Sequence, residues 1–352
     1  MNATAPQASA PASVTALSAG TWVIEVLRLT RWELYLAWRR VMTKVLIILL
    51  VISYAIVVGF ISFAIVQITN QPVQSGQSFQ CPPDATGCVT PSPQEIQQMQ
   101  QDQAKQRAAS LAQFSDPVTF PTSLGFAATF ARIVGLLLIC ILAGALIGSE
   151  YGYSTQRLAF SRGTSRLQML VAQTFALAVI SMILVAGMLV LATLVGLTVG
   201  PALGVSVSAP SFGGWMEIVK FFFAFSFSLF AYTLVALVAA TLGKSTVAGV
   251  GLALGWIVLE LIVGGVLTGI GLILENVGQN RDLGHTLQHI PDWFLGNNVG
   301  ALLGHAGQYP IALAPDPGPD LTFARSLIVS LIYCAIFFGG SYLLLSRRDV
   351  TE

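Results

Sequence analysis

Charged residues are scarce in this chain of 352 residues: Lys, Arg, Asp and Glu make up 9% of it, against 55% hydrophobic residues. A soluble domain covers its surface with polar groups, so this composition excludes an ordinary water-soluble protein. The alternation of apolar and polar residues that marks transmembrane barrel strands is missing too. Several apolar runs exceed the roughly 18 residues needed to cross a bilayer. We therefore expect an all-α integral membrane protein.

Recognisable enzyme motifs are also missing. The sequence has neither a Ser-His-Asp or Cys-His set gathered on one side of the membrane nor a zinc-protease helix. The stretch LGKST at 242–246 ends like a phosphate-binding loop, but Val238 stands where that motif has its first glycine. We expect a chain that is not an enzyme, with no bound cofactor, no metal site and no nucleic-acid partner. Any work against a gradient then draws on an ion gradient or on a separate ATPase.

Six apolar runs predict the membrane-spanning helices, at 45–68, 124–148, 168–199, 215–242, 246–274 and 323–345. An even number of spans puts both termini on the same side of the membrane. Eleven of the 17 Lys and Arg residues fall on that side: Arg28, Arg31, Arg39, Arg40, Lys44, Arg157, Arg162, Arg166, Lys244, Arg347 and Arg348. Because short cytoplasmic segments carry the excess of basic residues, both termini are predicted to be cytoplasmic.

The remaining segments divide the chain as follows. Residues 1–20 are rich in Ala, Ser and Pro and have no basic segment before the first apolar run, so we expect a disordered cytosolic tail and no signal peptide. Residues 346–352 form a second cytosolic tail. Between them, 45–345 is the six-span domain, with long outer loops at 69–123 and 275–322.

Residues 21–44 predict an amphipathic helix that lies in the membrane interface. One face is apolar and charged residues spread over the rest of the surface; the apolar residues are Ile24, Leu27, Leu34, Trp38 and Val41. Two interpretations stay open. The helix is either a lever that rests on the inner leaflet and touches a cytosolic partner, or a plain anchor beside the first span.

The first outer loop combines a helix signal with two cysteines. Ser92, followed by Pro and then by Glu95, is typical of a helix N-terminus and predicts an outer helix near 93–114. Cys81 and Cys88 are seven residues apart, and an outer loop lies in an oxidising compartment. We expect a disulfide between them, with two free thiols as the alternative.

The second outer loop contains two histidines four residues apart, His285 and His289. They share a helix face, but the sequence places no cysteine beside them and no single carboxylate uniquely. We therefore favour solvated histidines over a metal site.

Two charges fall deep inside the predicted spans, away from the span ends. Glu260 lies roughly 21 Å above the inner boundary of the fifth span, and Arg132 roughly 12 Å below the outer boundary of the second. In a hydrocarbon core of about 30 Å these depths nearly coincide. Because an isolated charge is costly there, we predict an Arg132–Glu260 pair, within one chain or between two. The pair either fixes helix packing or takes part in gating or substrate contact.

The short segment after the second span concentrates charge between two apolar runs. It begins with Glu150, continues with Ser154, Thr155 and Arg157, and ends in a small-residue turn before the third span. The turn contains Arg162, Gly163, Ser165 and Arg166. This pattern resembles the class-2 ABC transporter permeases, the membrane subunits of bacterial ABC exporters. Ser154-Thr155 stands where that family usually has Gly-Thr. The interface helix, the six spans and the long loop after the fifth span are similar too, so the resemblance covers nearly the whole chain.

The resemblance implies partners and a mechanism. Two permease copies, identical or related, would pair in the lipid of the bacterial cell membrane. Each would sit on a cytosolic ATPase subunit that binds ATP and Mg. Residues 150–166 would form the coupling helix that enters a groove of the ATPase, with 21–44 touching it as well. The coupling residues are then Glu150, Ser154, Thr155, Arg157, Arg162, Gly163 and Arg166.

Two other function classes remain open. A self-contained ion-coupled transporter would use Arg132 and Glu260, although the inverted repeats and broken midplane helices typical of such carriers are not clear in the sequence. A non-transporting membrane scaffold is the other alternative.

Overall fold

The computed structural model describes residues 19–70, 93–152, 164–204, 212–277, 281–306 and 321–347. Across these ranges the chain is helical and contains no strand. The α-helices are α1 (Ala19–Arg39), α2 (Val41–Asn70), α3 (Pro93–Ser115), α4 (Thr122–Phe130), α5 (Leu136–Gly152), α6 (Arg166–Ala202), α7 (Phe212–Gly243), α8 (Thr246–Val277), α9 (Arg281–His289), α10 (Leu295–Ala306) and α11 (Phe323–Ser346).

Six of the described helical stretches are long and apolar enough to cross a membrane. They are Val41–Asn70, Thr122–Tyr151, Arg166–Ala202, Gly214–Gly243, Thr246–Asn276 and Phe323–Ser346. Each contains one of the six predicted spans. The all-α, six-span membrane fold with an N-terminal amphipathic helix is therefore confirmed.

The centre of the bundle is formed by the second and fourth spans. In their most apolar windows 72% and 67% of the residues are buried, against 6% in the fifth span. α5 packs against both α7 and α8. The contact with α8 is close because α5 presents glycine there: a Cβ on Gly144 would lie 2.7 Å from the backbone nitrogen of Val250, and one on Gly148 would collide with the backbone of Thr246.

Two predicted helices are interrupted where an arginine lies. The second span is not one α-helix, since a π-helical turn at Ala131–Gly135 separates α4 from α5 and carries Arg132. The predicted interface helix at 21–44 ends earlier than expected: α1 stops at Arg39, and α2 begins at Val41. Arg40 is therefore the junction between the interface helix and the first span.

The long segments between spans contain more helix than expected. α3 occupies Pro93–Ser115, where 93–114 was predicted. The segment 275–322, expected as an outer loop, holds α9, a 3-10 turn at Ile290–Trp293 and α10. α9 packs on α8, whereas α10 packs between α7 and α11 with most of its residues buried. The second long segment therefore contributes a helix to the bundle itself.

The two ends of the bundle are defined by their contacts. At one end, called the α1 end below, lie α1, the start of α2, the end of α5, the start of α6 and the end of α11. Contacts from Arg40 to α5 and from Arg166 to α11 bring these together. At the opposite end, the α9 end, lie α9, which packs on the last turns of α8, and the start of α11. The predicted coupling segment leaves and re-enters the described structure at the α1 end.

Candidate functional site

The α1 end contains a buried polar cluster around Glu150, in the last turn of α5. Only 5% of Glu150 is exposed. Its Oε2 accepts a hydrogen bond of 2.6 Å from Nε2 of Gln173, a buried residue of α6. Glu33, on α1, is near enough to interact with this side chain. Glu150 thus bonds the third span to the second and lies beside the interface helix.

Arg40 fixes the junction of α1 and α2 to the same part of α5. Its Nη1 donates to the carbonyl oxygens of Ala145 and Leu146, each at 3.2 Å, and to Oγ of Ser149 at 2.6 Å. A guanidinium group suits this position because it is always charged and carries several donors in a fixed geometry. Movement of the end of α5 is therefore coupled to the interface helix.

Burial sets the protonation behaviour of Glu33. Desolvation raises the pKa of the Glu33 carboxyl above its ordinary value, while the interaction with the Glu150 side chain and the positive charge of Arg40 act in the opposite direction. Desolvation is the largest of these effects, so Glu33 holds a proton more readily than an exposed glutamate does.

The start of α6 is fixed by a capping box and by Arg166. Ser165 Oγ accepts from the backbone N–H of Gln168 at 3.2 Å, and the Gln168 side chain accepts from the Ser165 N–H at 2.9 Å. Arg166 Nη1 donates to the carbonyl oxygens of Leu345 and Ser346 at 2.9 and 2.6 Å. These carbonyls end α11 and have no partner within their helix. Arg166 therefore holds the last span against the third.

Five residues of the predicted coupling segment lie outside the residues that the structure describes, so their role stays a prediction. They are Ser154, Thr155, Arg157, Arg162 and Gly163. The same is true of the predicted disulfide between Cys81 and Cys88.

A second polar cluster surrounds Glu260, inside the bundle toward the α9 end. Its Oε1 accepts from the backbone N–H of Leu295 at 3.0 Å, and its Oε2 accepts from the N–H of Gly296 and from the Tyr232 hydroxyl, each at 3.1 Å. Leu295 and Gly296 are the first residues of α10, whose N–H groups have no partner within the helix. The carboxylate thus satisfies these donors and faces the positive end of the helix dipole.

Arg132 contacts the same first turns of α10. Its Nη2 donates to the carbonyl oxygen of Gly296 at 3.4 Å, and a Cβ on Gly300 would lie 2.8 Å from that nitrogen. The ion pairs within 4 Å found among the described residues do not include Arg132 with Glu260. The structure therefore brings both predicted residues to one helix and joins them through its backbone.

The two histidines of α9 are in contact. His285 and His289 have their Nε2 atoms 3.2 Å apart, and Nδ1 of His289 lies 2.8 Å from Oδ2 of Asp292. Among the described residues there is no group of three or more His, Cys, Asp and Glu that could hold a metal ion.

These features define the chain as a multi-pass membrane protein with a polar cluster toward each end of its bundle. No protein-family model matches the chain, and no curated protein matches it either.

Three residues of the two clusters were missed by sequence reasoning: Glu33, Gln173 and Tyr232. A signal for Glu33 existed. It shares one stripe of α1 with Val26, Thr30 and Ala37, at spacings of four, three and four, and these three are buried. The sequence indicates a different, more hydrophobic face, and four of its five residues are more than 60% exposed: Ile24, Leu27, Trp38 and Val41.

Proposed function

We propose that this chain is the transmembrane permease subunit of an ATP-driven ABC exporter, coupled to a separate cytosolic ATPase. One observation carries the proposal. Arg40 ties the junction of α1 and α2 to the end of α5, and Glu150 ties the end of α5 to Gln173 of α6. The segment that carries the family motif begins at Glu150, so a force applied to it reaches the interface helix and the first three spans.

In this proposal the α1 end faces the cytosol. Arginines of the 150–166 segment bind carboxylates of the ATPase, since guanidinium groups form paired, directed hydrogen bonds with carboxylates. The ATPase binds ATP and Mg, and this chain supplies the path. A second permease copy, identical or related, completes the path within the lipid of the bacterial cell membrane.

The fold offers a route for the mechanical step. α5 is at the centre of the bundle and continues through the π-helical turn into α4. Arg132 lies on that turn and holds the first turn of α10. Movement of the α1 end of α5 then shifts Arg132, and with it α10, whose position between α7 and α11 controls the opposite end of the path.

Co-purification tests the proposal. The tagged chain, isolated from native membranes in mild detergent, should bring down a soluble ATPase with Walker motifs in stoichiometric amount. Arg157→Glu should lose that ATPase, because the reversed charge repels its carboxylates. Arg281→Glu makes the same charge change on exposed α9, at the opposite end, and should retain it. Retention of the ATPase by Arg157→Glu, or its absence from the unmodified chain, would contradict the proposal.

A self-contained ion-coupled carrier is the second candidate. The position of Glu260 favours this candidate. Its carboxylate lies on a membrane-spanning helix and accepts hydrogen bonds from the Tyr232 hydroxyl and from the first backbone N–H of α10. The purified chain alone in vesicles, with an imposed proton or sodium gradient, distinguishes the two. A carrier moves its substrate there without ATPase, whereas an exporter subunit does not.

A further inference from the structure

The two histidines of α9 present the same ring nitrogen to each other. Nε2 of His285 lies 3.2 Å from Nε2 of His289, and the two ring centroids are 4.3 Å apart. Two rings whose nitrogens pointed straight at each other across that distance would have centroids farther apart. The direct bond between the rings is therefore poorly aligned, and an ion placed beside the two nitrogens is within reach of both.

A carboxylate decides which nitrogen of His289 carries the ring proton. Nδ1 of His289 lies 2.8 Å from Oδ2 of Asp292. An ionised carboxylate only accepts hydrogen bonds, so Nδ1 is the donor, and Nε2 of the neutral ring has the lone pair. Histidines that bind a metal usually donate their second nitrogen to a carboxylate or a carbonyl in this way. The contact with Asp292 therefore orients Nε2 of His289 as a metal ligand.

The separation of the two Nε2 atoms fits a single metal ion. Zinc binds histidine nitrogens at about 2.0–2.1 Å. At that bond length, two nitrogens 3.2 Å apart subtend an angle of about 100–106° at the metal, which is close to the tetrahedral value. Two histidines four residues apart on one helix face are also the spacing that helical zinc sites use.

The segments that carry these side chains are fixed in place. α9 packs closely on α8, since a Cβ on Gly284 would lie 2.9 Å from the carbonyl oxygen of Gly271. The backbone of Asp292 is held as well, because its carbonyl oxygen accepts a hydrogen bond of 2.8 Å from the Asn298 side chain. The histidines and the carboxylate behind them thus have defined positions before any ion binds.

We propose that His285 and His289 bind a divalent transition-metal ion such as Zn²⁺, with Asp292 orienting the second ligand. Imidazole suits zinc, copper and nickel, whereas magnesium and calcium prefer oxygen ligands. The chain supplies two ligands, and water completes the coordination. His285 is exposed and the His289 side chain is 40% exposed, so the rings can turn toward an ion that enters from solvent. The sequence favours solvated histidines because it shows neither the contact with Asp292 nor the distance between the rings.

Isothermal titration calorimetry of the purified chain with Zn²⁺, after removal of any affinity tag, tests the site. We expect the unmodified chain to bind one equivalent more than His285→Ala or His289→Ala does. Asp292→Asn should weaken that binding by roughly tenfold or more, because an amide is a poorer acceptor for the Nδ1 proton. His305→Ala is the matched control and should keep the site, since the His305 ring bonds the Leu321 carbonyl oxygen instead. Equal zinc binding by His285→Ala and the unmodified chain would overturn the proposal.

Electron paramagnetic resonance with Cu²⁺ counts the ligands directly. Copper binds imidazole as zinc does, and the hyperfine couplings report how many ring nitrogens hold the ion. We expect two imidazole nitrogens in the unmodified chain and one in His285→Ala. A count below two in the unmodified chain would overturn the proposal. Both measurements use the isolated chain, so the metal site is tested independently of the proposed exporter function.

Discussion

Glu260 accepts a hydrogen bond of 3.1 Å from the backbone N–H of Gly296, 36 residues further along the chain. A side chain of the fifth span thus binds the first turn of α10. The contact determines where α10 enters the bundle. It also gives the buried carboxylate the partners that a charge in this environment requires.

Removal of the Glu260 carboxylate should destabilise the bundle. Glu260→Ala leaves the N–H groups of Leu295 and Gly296 and the Tyr232 hydroxyl without this acceptor, at about 1–3 kcal/mol for each buried group. We expect a large fall in the apparent melting temperature of the detergent-solubilised protein, and a smaller fall for Glu260→Gln, which keeps one acceptor. Glu275→Ala is the control, since Glu275 bonds Gln288 on the exposed surface. Equal effects of Glu260→Ala and Glu275→Ala would show that Glu260 does not hold α10.

Glycine at the contact of α5 and α8 is a strict requirement. Gly148→Ala places a Cβ against backbone atoms of Ser245 and Thr246, which cannot move aside as the end of a flexible side chain can. The two helices must separate, and we expect a lower melting temperature together with a lower yield of monodisperse protein. Gly251→Ala, in the partner span, meets nothing within 4 Å and should behave like the unmodified chain. A tolerated Gly148→Ala would contradict the observed packing of α5 on α8.

Two adjacent arginines should differ in their effect. Arg40→Ala removes three hydrogen bonds to α5, whereas Arg39→Ala removes only a stacking contact with the Tyr35 ring at 5.2 Å on the exposed side of α1. We expect limited proteolysis to cleave α1 at least tenfold faster in Arg40→Ala than in the unmodified chain, and at nearly the unmodified rate in Arg39→Ala. Equal protease sensitivity in the two variants would mean that Arg40 does not fasten the junction.

Stability at the α1 end should fall as the pH rises. Because burial raises the pKa of Glu33 in the folded protein, the folded state binds this proton more tightly than the unfolded state does. The stabilisation is complete below the ordinary glutamate pKa and is lost as the pH rises through the higher pKa of the folded protein. Melting curves over a pH series should show this loss in the unmodified chain and lack it in Glu33→Gln. A melting temperature that rises with pH over that range would contradict this prediction.

The six spans are predictable from the sequence because hydrophobic length alone decides which segments cross a bilayer. α10 is different. It is 12 residues long and includes two asparagines, too short and too polar for a span. Its burial follows from contacts with Glu260, Arg132 and Tyr232, which belong to three other segments. The sequence of α10 alone does not indicate these partners.

The same limit applies to Glu33 and to the breaks in the helices. Depth counting placed Arg132 and Glu260 at similar levels, and the structure brings both to α10. The depth of the two residues in the sequence does not show that α10 lies between their side chains. Glu33 looked like one of several surface charges on an amphipathic helix, because the sequence does not tell which face of α1 meets the bundle.

The decisive experiment asks on which side of the membrane the segment between α5 and α6 lies. A chain without its native cysteines receives one new cysteine, by Arg157→Cys in that segment or by Gln94→Cys in exposed α3 as the outer control. A membrane-impermeant maleimide should label the Gln94 position in intact cells and the Arg157 position only in inside-out vesicles. Labelling of the Arg157 position from outside intact cells would place the segment beyond the reach of any cytosolic ATPase and contradict the proposed function.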